Sequence, residues 1–217
     1  MEEIRAENNE LQVASPEAVA AASYEEGQTI WNNPVLYQTA VKMAKILASS
    51  ELVPEGSYRG KPANCLIALD MANRMNMSPL NIMQNLYVVK GRPSWSGQYC
   101  ISAINGCGRF TPLEFVQLVN EDGSTKGYFA QATMIATGKI CTGSPVTWDM
   151  VKAEGWYDKP GSKWKTMPDQ MFRYRAAAFF ARTFCPDVLM GLQTVEEVKD
   201  VRGYDEPQVK TTVITLD

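Results

Sequence analysis

An α+β fold is the reading the sequence favours, with helices and antiparallel strands segregated along the chain around one core. Three observations carry it. Apolar residues recur at helical spacing over 34–49, 62–76 and 166–184. Runs of strand-forming residues over 112–120 and 126–137 flank Glu121-Asp122-Gly123-Ser124, and Asp-Gly between such runs marks an antiparallel hairpin. Runs of helices followed by runs of strands, without βαβ alternation, indicate α+β.

Each element has a local reason. Asn33-Pro34 opens a helix to about Ser49, with Leu36, Ala40, Met43 and Leu47 expected on its buried face. A loop marked by Pro54, Gly56 and Gly60 leads to a second helix from Pro62 to about Asn76, expected to bury Ile67, Met71 and Met75. Ser78-Pro79 breaks the chain. Leu86-Tyr87-Val88-Val89 favours a strand, and Lys90-Gly91-Arg92-Pro93 supplies a turn. Residues 97–106 read as a helix with Cys100, Ala103 and Ile104 on one side. A third short strand is expected over about 140–146, and Thr147 caps a short helix over 148–154. The last long helix is expected from about Thr166, where Thr166-x-x-Asp169 has capping-box spacing, to Phe184, because Pro186 cannot continue it. A short acidic helix over about 194–201 precedes a polar tail. The expected division is a flexible acidic arm (1–30), a core (31–187), and a short acidic helix with tail (188–217).

Charge sharpens that division. Residues 1–30 hold seven acids against Arg5, a balance of −6, and residues 183–217 hold seven acids against three bases, a balance of −4. Residues 31–182 carry seventeen bases against ten acids, so the body is +7 while the whole chain is −3. A basic body with acidic ends points to a polyanionic partner.

The composition also narrows the chemistry. The chain has no histidine, which removes the commonest general base and metal ligand. Its five cysteines form no C-x-x-C pair, so neither a disulfide framework nor a zinc site is expected. Gly106-Cys107-Gly108 is too short for a phosphate-cradling loop and lacks the Lys-Ser/Thr that would follow it. No catalytic residue, metal or cofactor is expected. No apolar run reaches the ~18 residues of a membrane span, and the acidic start MEEIRAENNELQ lacks the features of a secretory signal, so a cytoplasmic location is expected.

Two segments are suited to a polyanion. In 162–184, Lys163, Lys165, Arg173, Arg175 and Arg182 stand among Trp164, Phe172, Tyr174 and Phe179, with Asp169 the one acid. Arg175 and Arg182 are seven apart, hence within about 20° on a helix, and can address neighbouring phosphates, while Arg173 points almost oppositely to Arg182. The second segment is the hairpin tip with Lys90 and Arg92 between Tyr87 and Trp95, a combination of charge and aromatic faces that suits a single strand.

With these segments in order, the chain resembles the RecT/Bet (Red-beta) family of phage single-strand annealing recombinases. The resemblance runs from about Ala63 to Val201. It rests on Met77-Ser-Pro-Leu-Asn with Asn85-Leu-Tyr-Val-Val-Lys, on Ser94-Trp-Ser-Gly-Gln-Tyr-Cys-Ile-Ser-Ala-Ile-Asn, on Pro145-Val-Thr-Trp with Trp164-Lys-Thr-Met-Pro-Asp-Gln-Met-Phe-Arg-Tyr-Arg-Ala, and on Ala181-Arg-Thr-Phe-Cys-Pro-Asp with Gly191-Leu and Glu196-Glu197. The part beyond the fourth stretch is short, where some members carry a small partner-recruiting domain. The resemblance implies ATP-independent binding of single-stranded DNA and annealing of complementary strands by a ring or helical homo-oligomer. It also implies a cognate phage exonuclease and a host single-strand binding protein as partners. By position it assigns backbone contacts to Arg175, Arg182 and Arg173, and more weakly to Lys163, Lys165, Lys90 and Arg92. Two alternatives remain open: a single-strand binding protein that does not anneal, and a structural phage assembly protein.

Overall fold

Proline sets the start of four helices. Its fixed φ suits the first helical turn, where its missing N–H leaves no bond unmade. A computed structural model describes residues 28–89 and 91–200 of the chain. Its helices are α1 (Pro34–Ser49), α2 (Pro62–Arg74), α3 (Pro79–Asn85), α4 (Gly97–Gly106), α5 (Trp148–Ala153), α6 (Pro168–Phe184) and α7 (Val195–Asp200), with a 3₁₀ turn at Pro186–Leu189. The strands are β1 (Leu86–Val89), β2 (Arg92–Trp95), β3 (Glu114–Val119), β4 (Thr125–Thr133), β5 (Ile140–Thr142) and β6 (Val146–Thr147). The fold is the expected α+β.

The two antiparallel sheets are separate. β1 and β2 form a hairpin in the register Leu86↔Trp95 to Val89↔Arg92. The larger sheet has the order β3-β4-β5, with β6 also pairing with β4. Tyr128, Ala130 and Ala132 of β4 alternate along one face and are buried, and Tyr128 lies 5.5 Å from the Phe172 ring of α6. α6 therefore lies along this face, and α4 packs on α6 so closely that a Cβ on Gly97 would sit 2.6 Å from Tyr174 Cγ. Around α6 the core is aromatic: Phe172 meets Trp148 and Trp164 edge-on, each at 5.0 Å, and Trp164 stacks on Trp156 at 5.7 Å.

Several local expectations are corrected. α1 buries Ala40, Ala44 and Ala48, while Met43 is exposed, because small side chains every fourth residue let α1 lie close to α2. α2 likewise buries Cys65, Ala68, Leu69, Met71 and Ala72 and exposes Ile67. α3 was not expected, since a seven-residue helix gives too little period to read. The third strand is two pieces, split where Gly143 lies against Phe180. α6 begins at Pro168 with Met167 as an unbonded cap, so Thr166 and Asp169 form no capping box. The box occurs at α7 instead, where Thr194 N donates to Glu197 Oε2 at 2.8 Å and Glu197 N donates to Thr194 Oγ1 at 3.4 Å. The cap at Thr147 forms as expected, accepting from Met150 N at 3.2 Å.

The segment before α7 is fastened to the small hairpin. Trp95 N donates to Gln193 O at 3.0 Å, a parallel bridge joins Trp95 to Thr194, and Trp95 Nε1 donates to Leu189 O at 3.1 Å. This attachment fixes α7 against α6.

Candidate nucleic-acid interface

Arg92 and Arg182 come from elements some ninety residues apart, and the fold sets them on the same groove. That groove has a volume of about 570 Å³ and is floored by Pro93, Leu189, Leu192 and Val198. Arg182 and Gln193 also line an adjoining cavity of about 430 Å³, which continues over Trp156 and Phe179 to Arg175, Glu197 and Asp200. The two hollows share Arg182 and Gln193 and make a channel between α6 and α7.

The two α6 arginines sit in different surroundings. Arg175 is buried, at 5% exposure, with its guanidinium 4.0 Å above the Trp156 ring. Its Nη2 donates directly to Asp200 Oδ2, and its Nη1 lies 3.7 Å from Glu197 Oε1. Burial holds its pKa below the usual arginine value against the pull of Asp200 and Glu197. Arg182 is half exposed, with Nη2 2.8 Å from Glu197 Oε1. Among the described residues no directed hydrogen bond reaches Glu197 Oε1 or Arg175 Nε, so the contacts of Glu197 Oε1 with the two arginines are coulombic. Lys159 Nζ closes the cluster, 3.3 Å from Asp200 Oδ1 and donating to Lys199 O at 3.0 Å. α7 thus presents two carboxylates to three cations.

The other predicted residues are dispersed. Arg173 is exposed on α6 and forms no ion pair among the described residues. Lys163 is exposed on the loop before α6, and Lys165 sits 5.1 Å from the Tyr157 ring centroid and 4.0 Å from Asp158. None of these three lines the channel. Lys90 lies outside the described residues. Tyr87 is 38% exposed, but Trp95 is fully buried, stacked on Tyr99 with centroids 4.1 Å apart. Trp95 is therefore corrected from an exposed stacking face to a core anchor, because its indole N–H is committed to Leu189 O.

Sequence reasoning missed Glu197, Asp200 and Gln193. The short acidic helix expected over about 194–201 forms as α7, and the Thr194-x-x-Glu197 spacing could have marked Glu197 as its capping acid. The pairing of Asp200 with Arg175 depends on tertiary packing and leaves no local sign.

An antiparallel sheet backed by an arginine-bearing helix, beside an open channel lined by Arg92, Arg175 and Arg182 and by Glu154, Glu197 and Asp200, defines an α+β domain with a charged groove. The model of the RecT family matches residues 111–211, taking in the four-stranded sheet, α5, α6 and α7, so this stretch is similar to the RecT family. No curated protein matches the chain. Among the described residues there is no group of three His, Cys, Asp or Glu side chains that could hold a metal ion, and no helix long and apolar enough to cross a membrane.

Proposed function

We propose that this chain binds single-stranded DNA and anneals complementary strands without ATP, as a ring or helical oligomer. The observation that carries the reading is the RecT match over the same α6 whose Arg182 lines one groove with Arg92 of the distant hairpin. Cations on two elements can hold the backbone at two points and leave the bases free to test an incoming strand. Each correct stacking step then adds about 1.4 kcal/mol, so a matched strand is retained and a mismatched one leaves. Successive subunits would join their grooves into one track and make binding cooperative.

In this reading Arg182 and Arg92 are the primary phosphate contacts. Arg173, Lys163, Lys165 and Lys90 extend the basic surface, and Arg175 acts mainly by holding α7. Residues 31–187 serve as the DNA-binding and annealing core, between the acidic arm and the acidic helix with its tail. A cognate phage exonuclease and a host single-strand binding protein are the proposed partners, in the cytoplasm of a bacterial or phage-infected cell.

The test is a strand-annealing assay without nucleotide, on complementary oligonucleotides added in sequence, with electron microscopy of the same samples. Annealing by rings or filaments supports the proposal. Binding without annealing makes the chain a single-strand binding protein. Absence of DNA binding leaves the structural assembly role.

A further inference from the structure

A cavity of different chemistry lies one short helix away from the groove. It has a volume of about 530 Å³ and opens between α3 and α4. Val188 of the 3₁₀ turn lines it, while Pro186 and Leu189 of the same turn line the arginine groove. The cavity wall carries no charged side chain. Its polar groups are Asn81, Asn85, Gln98, Ser102 and the Tyr99 hydroxyl, and Met75, Met77 and Cys107 supply the remaining polarisable surface.

Such a lining does not suit phosphate, which is held by cations or converging N–H groups. It suits a flat, polar, uncharged ligand. Side-chain amides pair with the donor and acceptor edges of bases, and thioethers pack well against aromatic rings. The hydrogen-bonding capacity needed for this is available. Gln98 and Ser102 stand four residues apart on one exposed face of α4, and neither makes a hydrogen bond within the described residues. Asn85 Nδ2 is spent on Asn81, donating to its backbone O at 2.9 Å and to its Oδ1 at 3.1 Å, which orients the Asn81 amide and leaves its Nδ2 as a donor. Among the described residues the Tyr99 hydroxyl finds only Met77 Sδ, at 3.3 Å, a weak acceptor. Tyr99 itself is immobilised by its stack on Trp95, so this wall is rigid.

We propose that this cavity receives an unpaired nucleobase of a DNA strand whose backbone lies on Arg92 and Arg182. The proposal rests on the single-strand reading above and adds a base-binding site to it. A base held in a duplex is stacked and paired and cannot turn into the pocket, so the site favours single strands over duplex by a means that is independent of charge.

The experiment compares binding of a mixed-sequence oligonucleotide with an abasic strand of equal length, for the wild-type chain and for Gln98→Ala, Asn81→Ala and the cavity-filling Ser102→Phe. The wild type is expected to bind the base-bearing strand about tenfold more tightly, equivalent to about 1.4 kcal/mol. Each variant should lose most of that advantage and bind the abasic strand as the wild type does. Gln98 and Ser102 are exposed, so their variants should keep the wild-type melting temperature. Equal losses on both strands, or no loss on either, overturn the pocket and leave the arginine groove standing. A wild-type chain that binds neither strand overturns the single-strand reading as well.

Discussion

Arg175 and Arg182 share a helix face and a partner, Glu197, yet their burial separates their roles. Removing Arg175 takes the buried cation out of the cluster and leaves Glu197 to the half-exposed Arg182 and Asp200 to Lys159, and breaking a buried pair from one side costs up to about 3–5 kcal/mol. Arg175→Ala is therefore expected to lower the melting temperature strongly. In the other pair Arg182 is half exposed and the buried Glu197 keeps Arg175 at 3.7 Å when Arg182 is removed, so Arg182→Ala should melt nearly as the wild type does. It should instead lose about tenfold in affinity for an oligonucleotide, the worth of one well-placed charged contact. Measuring melting and affinity on the same preparations decides the matter. A stable Arg175→Ala with lost affinity would move Arg175 from the core to the DNA contact. Glu196 supplies a pH test, because burial raises its pKa above the usual glutamate value. The folded state thus holds this proton more tightly than the unfolded chain. The stability it confers is complete below the ordinary value of about 4.3 and is lost as pH rises through the folded value. Glu196→Gln should raise the melting temperature at pH 7, and the gain should vanish below about pH 4. An unchanged melting temperature at pH 7 would mean that the Glu196 carboxylate is adequately solvated or paired.

At the scale of elements, the contact between α4 and α6 depends on one missing side chain. A Cβ at Gly97 would meet Tyr174 Cγ at 2.6 Å and Tyr174 Cβ at 2.9 Å, distances that force the ring or the helix to move. Gly97→Ala is expected to cost about 1–3 kcal/mol through overpacking, although alanine is the better helix former. Chemical denaturation should show a lower midpoint with an unchanged slope, and a midpoint at or above the wild-type value would mean that Tyr174 swings aside freely. Helix ends were legible where proline or threonine fixed them, as at Pro34, Pro62 and Thr147. Helix faces were less so. Met43 and Ile67 fit an apolar stripe as well as Ala44 and Ala68 do, and only the close approach of α1 to α2 chooses the alanines.

For the whole molecule, the +7 body between acidic ends makes binding a question of salt. If each protomer neutralises about 3–6 phosphates of a single strand, log K should fall against log salt with a slope of about −2 to −4. Affinity for unrelated sequences should fall in parallel, because phosphate contacts carry no base information. A flat response across a salt titration would remove phosphate contact as the basis of binding. Within the channel Glu154, Glu197 and Asp200 balance Arg92, Arg175 and Arg182, so the slope should be set by the exposed Arg92 and Arg182 and by cations outside it, and Arg182→Ala should make it shallower by about one phosphate.

By itself the sequence determined the α+β class, the hairpin at Asp122-Gly123, the helix carrying Arg173, Arg175 and Arg182, and the resemblance to the RecT family. These follow from short-range patterns: period, turn chemistry, capping and the local order of residue types. Tertiary structure alone decided that Arg175 is buried against Asp200 and Trp156, that Trp95 is a core anchor, and that Arg92 and Arg182 line one groove. The physical reason is that burial and pairing are properties of neighbours brought together across the chain. An arginine on an amphipathic helix reads the same whether it faces phosphate or a carboxylate folded onto it from twenty-five residues away.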